Sequence, residues 1–173
     1  YKYKNFVFVL INDFSLIAFS NAIEPLRIAN RQAQKEIYTW KLMSENGENV
    51  KCSSGFLFKV DSPISQIDND DFVILCAGQN IKKNTTKKLL NWIRKESRKK
   101  IYIGSICTGT YVLAKAGLIN DIPSTIHWEN REALKEEFEH LNISDAIYTI
   151  DKKWFSAAGG TASIDLMLNI ISQ

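Results

Sequence analysis

Apolar positions fall into two patterns along this chain. Asn5–Ile11 (NFVFVLI) and Asp71–Cys76 (DFVILC) are nearly unbroken apolar runs, the pattern of strands buried on both faces. From about Ser15 to Gln34 the period is helical, with Pro25 in its middle. A proline there lacks the N–H its turn requires, which predicts a short helix, a break, and a second helix starting near Glu24 or Pro25. Tyr38–Ser44 alternates as a strand, and Glu45–Glu48 turns through Gly47. Short strands are expected at Val50–Cys52 and Leu57–Val60, a basic helix at Thr85–Ser97 and a strand at Lys100–Ile103. A helix follows over Thr108–Ala116 with Gly117 as its stop, then an acidic helix over Glu129–Glu139. Ile147–Ile150 and Trp154–Ala157 read as a hairpin turning at Asp151–Lys153, and Thr161–Ile171 as the last helix.

Buried strands alternating with helices predict an α/β domain: a doubly wound, mostly parallel sheet with helices on both faces. Ligands bind such sheets beyond the carboxyl ends of the strands. That rule selects Asn12–Ser15, Ala77–Gln79 and Ser105–Gly109 as three segments converging on one crevice.

Composition narrows the class. With 173 residues, 45% apolar and 24% charged, the chain is one globular domain and neither disordered nor fibrous. No apolar run approaches the ~20 residues of a membrane span, and no basic-then-apolar leader opens the chain. Cys52, Cys76 and Cys107 are odd in number and form no CxxC pair, which suggests neither a disulfide framework nor a zinc site. The expectation is a soluble protein of the reducing cytoplasm. The chain opens on Tyr1 and ends at Gln173 without a Gly or Pro stop signal, as a domain of a longer protein would.

Net charge is +3, unevenly spread: Lys82–Lys100 holds nine basic residues and one acid, Glu96, whereas the remainder carries 13 basic and 18 acidic residues. Such a segment is either a phosphate-binding face or a solvated helix whose Leu89, Leu90 and Ile93 form a buried stripe. No aromatic residues interleave with the charges in a way that favours nucleic acid, so the solvated helix is the reading taken.

The segment with the most chemical content is Ile101-Tyr102-Ile103-Gly104-Ser105-Ile106-Cys107-Thr108-Gly109. A strand, a cysteine between small residues and the first turn of a helix resemble a nucleophile elbow, whose sharp turn exposes a Ser or Cys above the sheet. Helix N-terminal dipoles there would favour the thiolate; a buried packing cysteine is the alternative, and it suits Cys76 and Cys52. In Ser124-Thr125-Ile126-His127-Trp128-Glu129, His127 is either a proton carrier beside an aromatic wall and an anion or part of a helix entry. His140 reads as solvated surface. No second His, Cys or Asp near His127 has metal-ligand spacing, and no cofactor is suggested.

Seven stretches, taken together, resemble the ThiJ/PfpI superfamily of class I glutamine amidotransferase-like proteins. They are Asp13-Phe14-Ser15-Leu16-Ile17-Ala18-Phe19, Glu24-Pro25-Leu26-Arg27-Ile28-Ala29-Asn30, Cys76-Ala77-Gly78, Ile106-Cys107-Thr108-Gly109, Ala116-Gly117-Leu118, Ile126-His127-Trp128-Glu129-Asn130 and Ala158-Gly159-Gly160-Thr161-Ala162. They run in order over nearly the whole chain, and the resemblance is greater still to the N-terminal sensor domain of AraC-family transcriptional regulators. It implies a flavodoxin-like fold, Cys107 at the elbow with His127 nearby, and the N–H groups of Gly78 and Thr108 facing a small pocket. It also implies metabolite sensing, homodimerisation and a DNA-binding helix-turn-helix domain beyond Gln173.

Two departures from the enzymatic members stand out. The acidic residue they keep on the first helix aligns with Ala18, and the His that protease-like members carry after the cysteine is Thr108. The expected function is therefore ligand sensing without catalysis, with Phe14, Ser15, Gly78, Cys107, Thr108, His127, Trp128 and Glu129 around the ligand. Regulators with a similar His-Trp-Glu stretch resemble those that respond to betaine or carnitine. A quaternary ammonium would then meet Phe14 and Trp128 by cation–π contact, with Glu129 supplying charge. The alternatives are a cysteine-dependent hydrolase, hydratase or glyoxalase-like enzyme using Cys107 and His127, and a purely structural dimerisation module.

Overall fold

The computed structural model describes residues Tyr1–Gln173. Nine strands and six helices run in the order β1 (Asn5–Leu10), α1 (Leu16–Ala33), β2 (Thr39–Ser44), β3 (Val50–Lys51), β4 (Leu57–Phe58), β5 (Ser62–Pro63), β6 (Phe72–Cys76), α2 (Ile81–Asn84), α3 (Lys87–Glu96), β7 (Tyr102–Ile106), α4 (Thr110–Lys115), α5 (Arg131–Glu137), β8 (Tyr148–Asp151), β9 (Trp154–Ala157) and α6 (Ala162–Ile171). Seven strands form one sheet, ordered β5-β2-β1-β6-β7-β9-β8, while β3 and β4 pair separately. All its pairings are parallel except β8 with β9. This is the doubly wound, mostly parallel α/β sheet that the apolar runs imply, and the flavodoxin-like fold that the resemblance implies.

The unbroken runs have a direct structural cause. In β1, Phe6, Phe8 and Leu10 belong to a core shared with α1 and α6, whereas Val7 and Val9 belong to a second core under α3, α4 and α5. Strand side chains alternate between faces, so both sets must be apolar when both faces are covered. The first core is aromatic: Phe6 and Phe72 stack at 5.2 Å, with Tyr3 edge-on to Phe72 at 5.3 Å. A Cβ at Gly104 would lie 3.2 Å from the Phe72 ring, so the glycine makes room for it.

The register carries the site. Leu10 pairs with Cys76, Cys76 with Ile106, and Ile106 with Ala157. Four strands therefore end in one row, and the chain leaves that row in four loops at the same edge.

The structure corrects several boundaries. Helix α1 does not break at Pro25; it continues from Leu16 to Ala33, capped by Ser15 and closed by Gln34 in the left-handed region. Ala18, Ala22 and Leu26 are fully buried on one face that packs along α6, and this burial offsets the missing proline hydrogen bond. Strand β7 runs three residues past Ile103, because Gly104 and Ser105 are small interior strand residues, not a turn. The acidic helix is shorter, a 3-10 turn at Trp128–Asn130 leading into α5. Strand β5 and helix α2 have no clear apolar period and are not legible in the sequence.

The basic segment takes the solvated form, with Leu89, Leu90 and Ile93 buried on α3. Several of its charges have structural work. Arg94 donates to the carbonyls of Ala116 and Lys115 at 3.0 and 3.3 Å. Glu96 is buried, paired with Lys99 at 2.7 Å and accepting from the Ile67 N–H at 3.1 Å. No helix is long and apolar enough to cross a membrane.

Candidate functional site

The three segments selected by the sheet rule meet. Phe14 and Gly78 form an isolated bridge: the Ser15 N–H donates to Ala77 at 3.1 Å and the Gln79 N–H to Asp13 at 3.0 Å. A Cβ at Gly78 would lie 2.3 Å from the Asp13 carbonyl, so only glycine allows the two loops this close. The elbow joins them through the Thr108 hydroxyl, which donates to the Gly78 carbonyl at 2.6 Å. Behind it, the Cys107 N–H donates to Ala157 at 3.1 Å and the His127 N–H to Cys107 at 3.0 Å.

Cys107 has φ +59°, a left-handed conformation that costs a side-chain-bearing residue free energy and marks the sharp turn of an elbow. Gly109 makes the turn possible, since a Cβ there would lie 2.7 Å from the Leu75 carbonyl. Helix α4 is short, and Cys107 is only 6% exposed. Burial pushes its thiol up to about 11, and the Glu129 carboxylate adds to the rise; the Thr108 backbone N–H and the Ser15 hydroxyl oppose it without prevailing. The thiol is protonated at neutral pH.

His127 reaches the same crevice. Its Nδ1 accepts from the Glu129 N–H at 3.2 Å, which places the proton of the neutral ring on Nε2. The ring stacks on Trp128, centroids 5.7 Å apart. Trp128 is 67% exposed and Glu129 is also at the surface. Phe14 departs from the expected aromatic wall. Its ring is fully buried against Phe58 at 5.3 Å and Phe19 at 5.7 Å, so only its backbone borders the crevice. Ala18 is fully buried on α1 with no carboxylate to offer.

Two further residues border the site, both inside stretches quoted from the sequence but given no role there. Gly159, at φ +107°, lies so close to the elbow that a Cβ would stand 3.1 Å from the Cys107 Cα and 3.0 Å from His127 Cδ2. The Gly-Gly pair after β9 is its only sequence signal. Asp13, in the left-handed region, is held by the amides of Asn80 and Asn84, each at 3.1 Å. Chiefly the Asn80 bond keeps its carboxyl below the usual range. Beside Ser15 opens a cleft of about 400 Å3 with a hydroxyl-rich wall of Ser15, Ser20, Ser53 and Ser54. No cluster of three or more His, Cys, Asp or Glu is placed to hold a metal ion.

A strand-to-helix elbow bearing a cysteine, crossed by a glycine loop, is the arrangement shared with one large family. The DJ-1/PfpI family model matches residues 4–173. The chain belongs to the DJ-1/PfpI family. It is 37% identical over 170 residues to the HTH-type transcriptional regulator CdhR of Pseudomonas aeruginosa, covering 98% of this chain and 50% of that protein. It is 34% identical over 166 residues to the HTH-type transcriptional regulator GbdR of the same species, covering 96% of this chain and 45% of that protein. Among solved structures it is similar to an AraC family transcriptional regulator from Pseudomonas putida, with a TM-score of 0.80 and 25% identity, covering 97% of this chain and 90% of that one. The chain spans about half the length of the curated regulators it matches.

Proposed function

We propose that this DJ-1/PfpI chain is the ligand-sensing and dimerisation part of an AraC-type transcriptional regulator, holding a small metabolite around Cys107 without turning it over. One observation supports the non-catalytic side of the reading: the Cys107 thiol is buried, and Ala18, which the resemblance aligns with the acid of enzymatic members, is buried and carries no carboxylate. A cysteine nucleophile acts as its thiolate, and burial away from positive charge disfavours that form. The regulator side is supported by the relatives, which are transcriptional regulators across nearly the full length of this chain.

In this reading Gly78 and Thr108 offer backbone N–H groups to the anionic end of the ligand, beside Ser15 and Cys107. His127 contributes an Nε2–H donor, and Phe14 contributes backbone alone. A quaternary ammonium end would lie against the open indole of Trp128, with Glu129 supplying negative charge. DNA would be bound by a helix-turn-helix domain beyond Gln173, in a cytoplasmic homodimer.

The positive φ of Cys107 favours a second reading, a cysteine-dependent hydrolase, hydratase or glyoxalase-like enzyme using Cys107 and His127. An immunoblot of the native protein separates the two. The regulator reading expects a band at about twice the 19.7 kDa of this chain, as the share of the relatives covered implies. A band near 20 kDa would remove the DNA-binding half and overturn it.

A further inference from the structure

A second concave surface lies one helix away from the elbow. It is a cleft of about 390 Å3, within the size range of small-molecule sites. Its floor is apolar: Ile81, Tyr111, Ile126 and Leu134 line it and none is more than 7% exposed. Its rim carries Lys82, Lys83 and Asn130. Apolar walls with a few polar groups at one edge are the ordinary composition of a ligand pocket.

The charges at that rim are unbalanced. Lys82 is paired with Glu137 at 2.8 Å, and the Glu137 carboxylate also accepts from the Tyr111 hydroxyl and feels Lys115, so its charge and the polar end of Tyr111 are already engaged with each other. Lys83 is in no ion pair, and Asp13, an acid whose carboxyl it influences, is already held by the amides of Asn80 and Asn84. Asn130 opens α5 without a side-chain capping bond, so its amide is available. One edge of an apolar cleft thus presents an unpaired ammonium and a free amide.

We propose that this cleft is a second binding site, taking a small monocarboxylate with an alkyl or aryl body. The body covers the floor of Ile81, Tyr111, Ile126 and Leu134, and the carboxylate meets Lys83 and Asn130. Ile126 and Asn130 flank the His127–Glu129 stretch, so a ligand here touches the same loop that closes the elbow. The site stands independently of the metabolite proposed at Cys107.

The test is calorimetric titration of the purified chain with hexanoate, using hexanamide as the uncharged control of the same shape. Saturable hexanoate binding is expected, with the amide at least tenfold weaker. Lys83→Gln, a surface change, weakens hexanoate about tenfold by removing a charge-assisted contact. Ala133→Trp, at the mouth of the cleft, abolishes binding while the melting temperature shows that the fold persists. Cys107→Ser leaves hexanoate affinity unchanged. No saturable heat, equal binding of the amide, or affinity unchanged in Lys83→Gln would each overturn the proposal. Loss in Cys107→Ser with none in Lys83→Gln would place the carboxylate in the elbow, overturning this site while leaving the elbow reading intact.

Discussion

The His127 backbone donates to the Cys107 carbonyl at 3.0 Å, while the ring Nδ1 is engaged by the Glu129 N–H at 3.2 Å. The two residues that a catalytic dyad would use are thus tied through their backbones, and the imidazole is oriented by its own loop. The Cys107 thiol itself is buried, at 6% exposure.

That burial has a pH signature. Because the Cys107 thiol is pushed up to about 11, its alkylation by iodoacetamide should be slow at neutral pH and rise about tenfold per pH unit until it levels off near that value. Peptide mapping by mass spectrometry follows the residue directly. Glu129→Gln should move the midpoint down, because that carboxylate is one cause of the rise. The folded-state value lies above the ordinary thiol value of 9.0. The associated stability is therefore fully present at low pH and is lost as pH rises from about 9 towards 11. A fast-reacting Cys107 at pH 7 would contradict this.

Gly159 and Gly117 make a controlled pair. Both have positive φ, +107° and +76°, but a Cβ at Gly159 meets Cys107 and His127 whereas one at Gly117 meets nothing within 4 Å. Gly117→Ala should cost about 1–2 kcal/mol from left-handed strain alone. Gly159→Ala should cost more and also weaken ligand binding, as urea unfolding and titration would show.

The Thr108 hydroxyl is the strut between the elbow and the Gly78 loop. Thr108→Val keeps the shape but leaves the buried Gly78 carbonyl without that donor, a loss of about 1–3 kcal/mol. Urea unfolding measures it, and Thr108→Ser should recover most of the loss.

Pro25 lies inside a continuous helix, so Pro25→Ala restores an N–H donor and should stabilise the chain, on the order of 1 kcal/mol. A destabilised variant in thermal unfolding would show that the proline is required for the path of α1.

The sheet is legible in the sequence where burial on both faces leaves no freedom. Asn5–Ile11 and Asp71–Cys76 must be apolar throughout because Phe6 and Val7 face different cores. The turn at Cys107 is legible because it demands small neighbours, and the Gly78 loop because it follows the carboxyl end of a buried strand. Pro25 misleads because propensity is local, while the helix is held by Ala18, Ala22 and Leu26 against α6. Phe14 misleads because one apolar ring beside a loop says nothing about which way it turns; Phe19 and Phe58 decide that. The approach of Gly159 to Cys107 spans more than fifty residues, and no local pattern encodes it.

The most direct test of the central claim is calorimetric titration of the chain with glycine betaine and carnitine, with the ligand recovered and identified afterwards. The account predicts saturable heat, loss of it in Trp128→Ala, and ligand returned chemically unchanged. A ligand consumed by the wild type but spared by Cys107→Ala would contradict it, and so would the absence of heat at millimolar concentration.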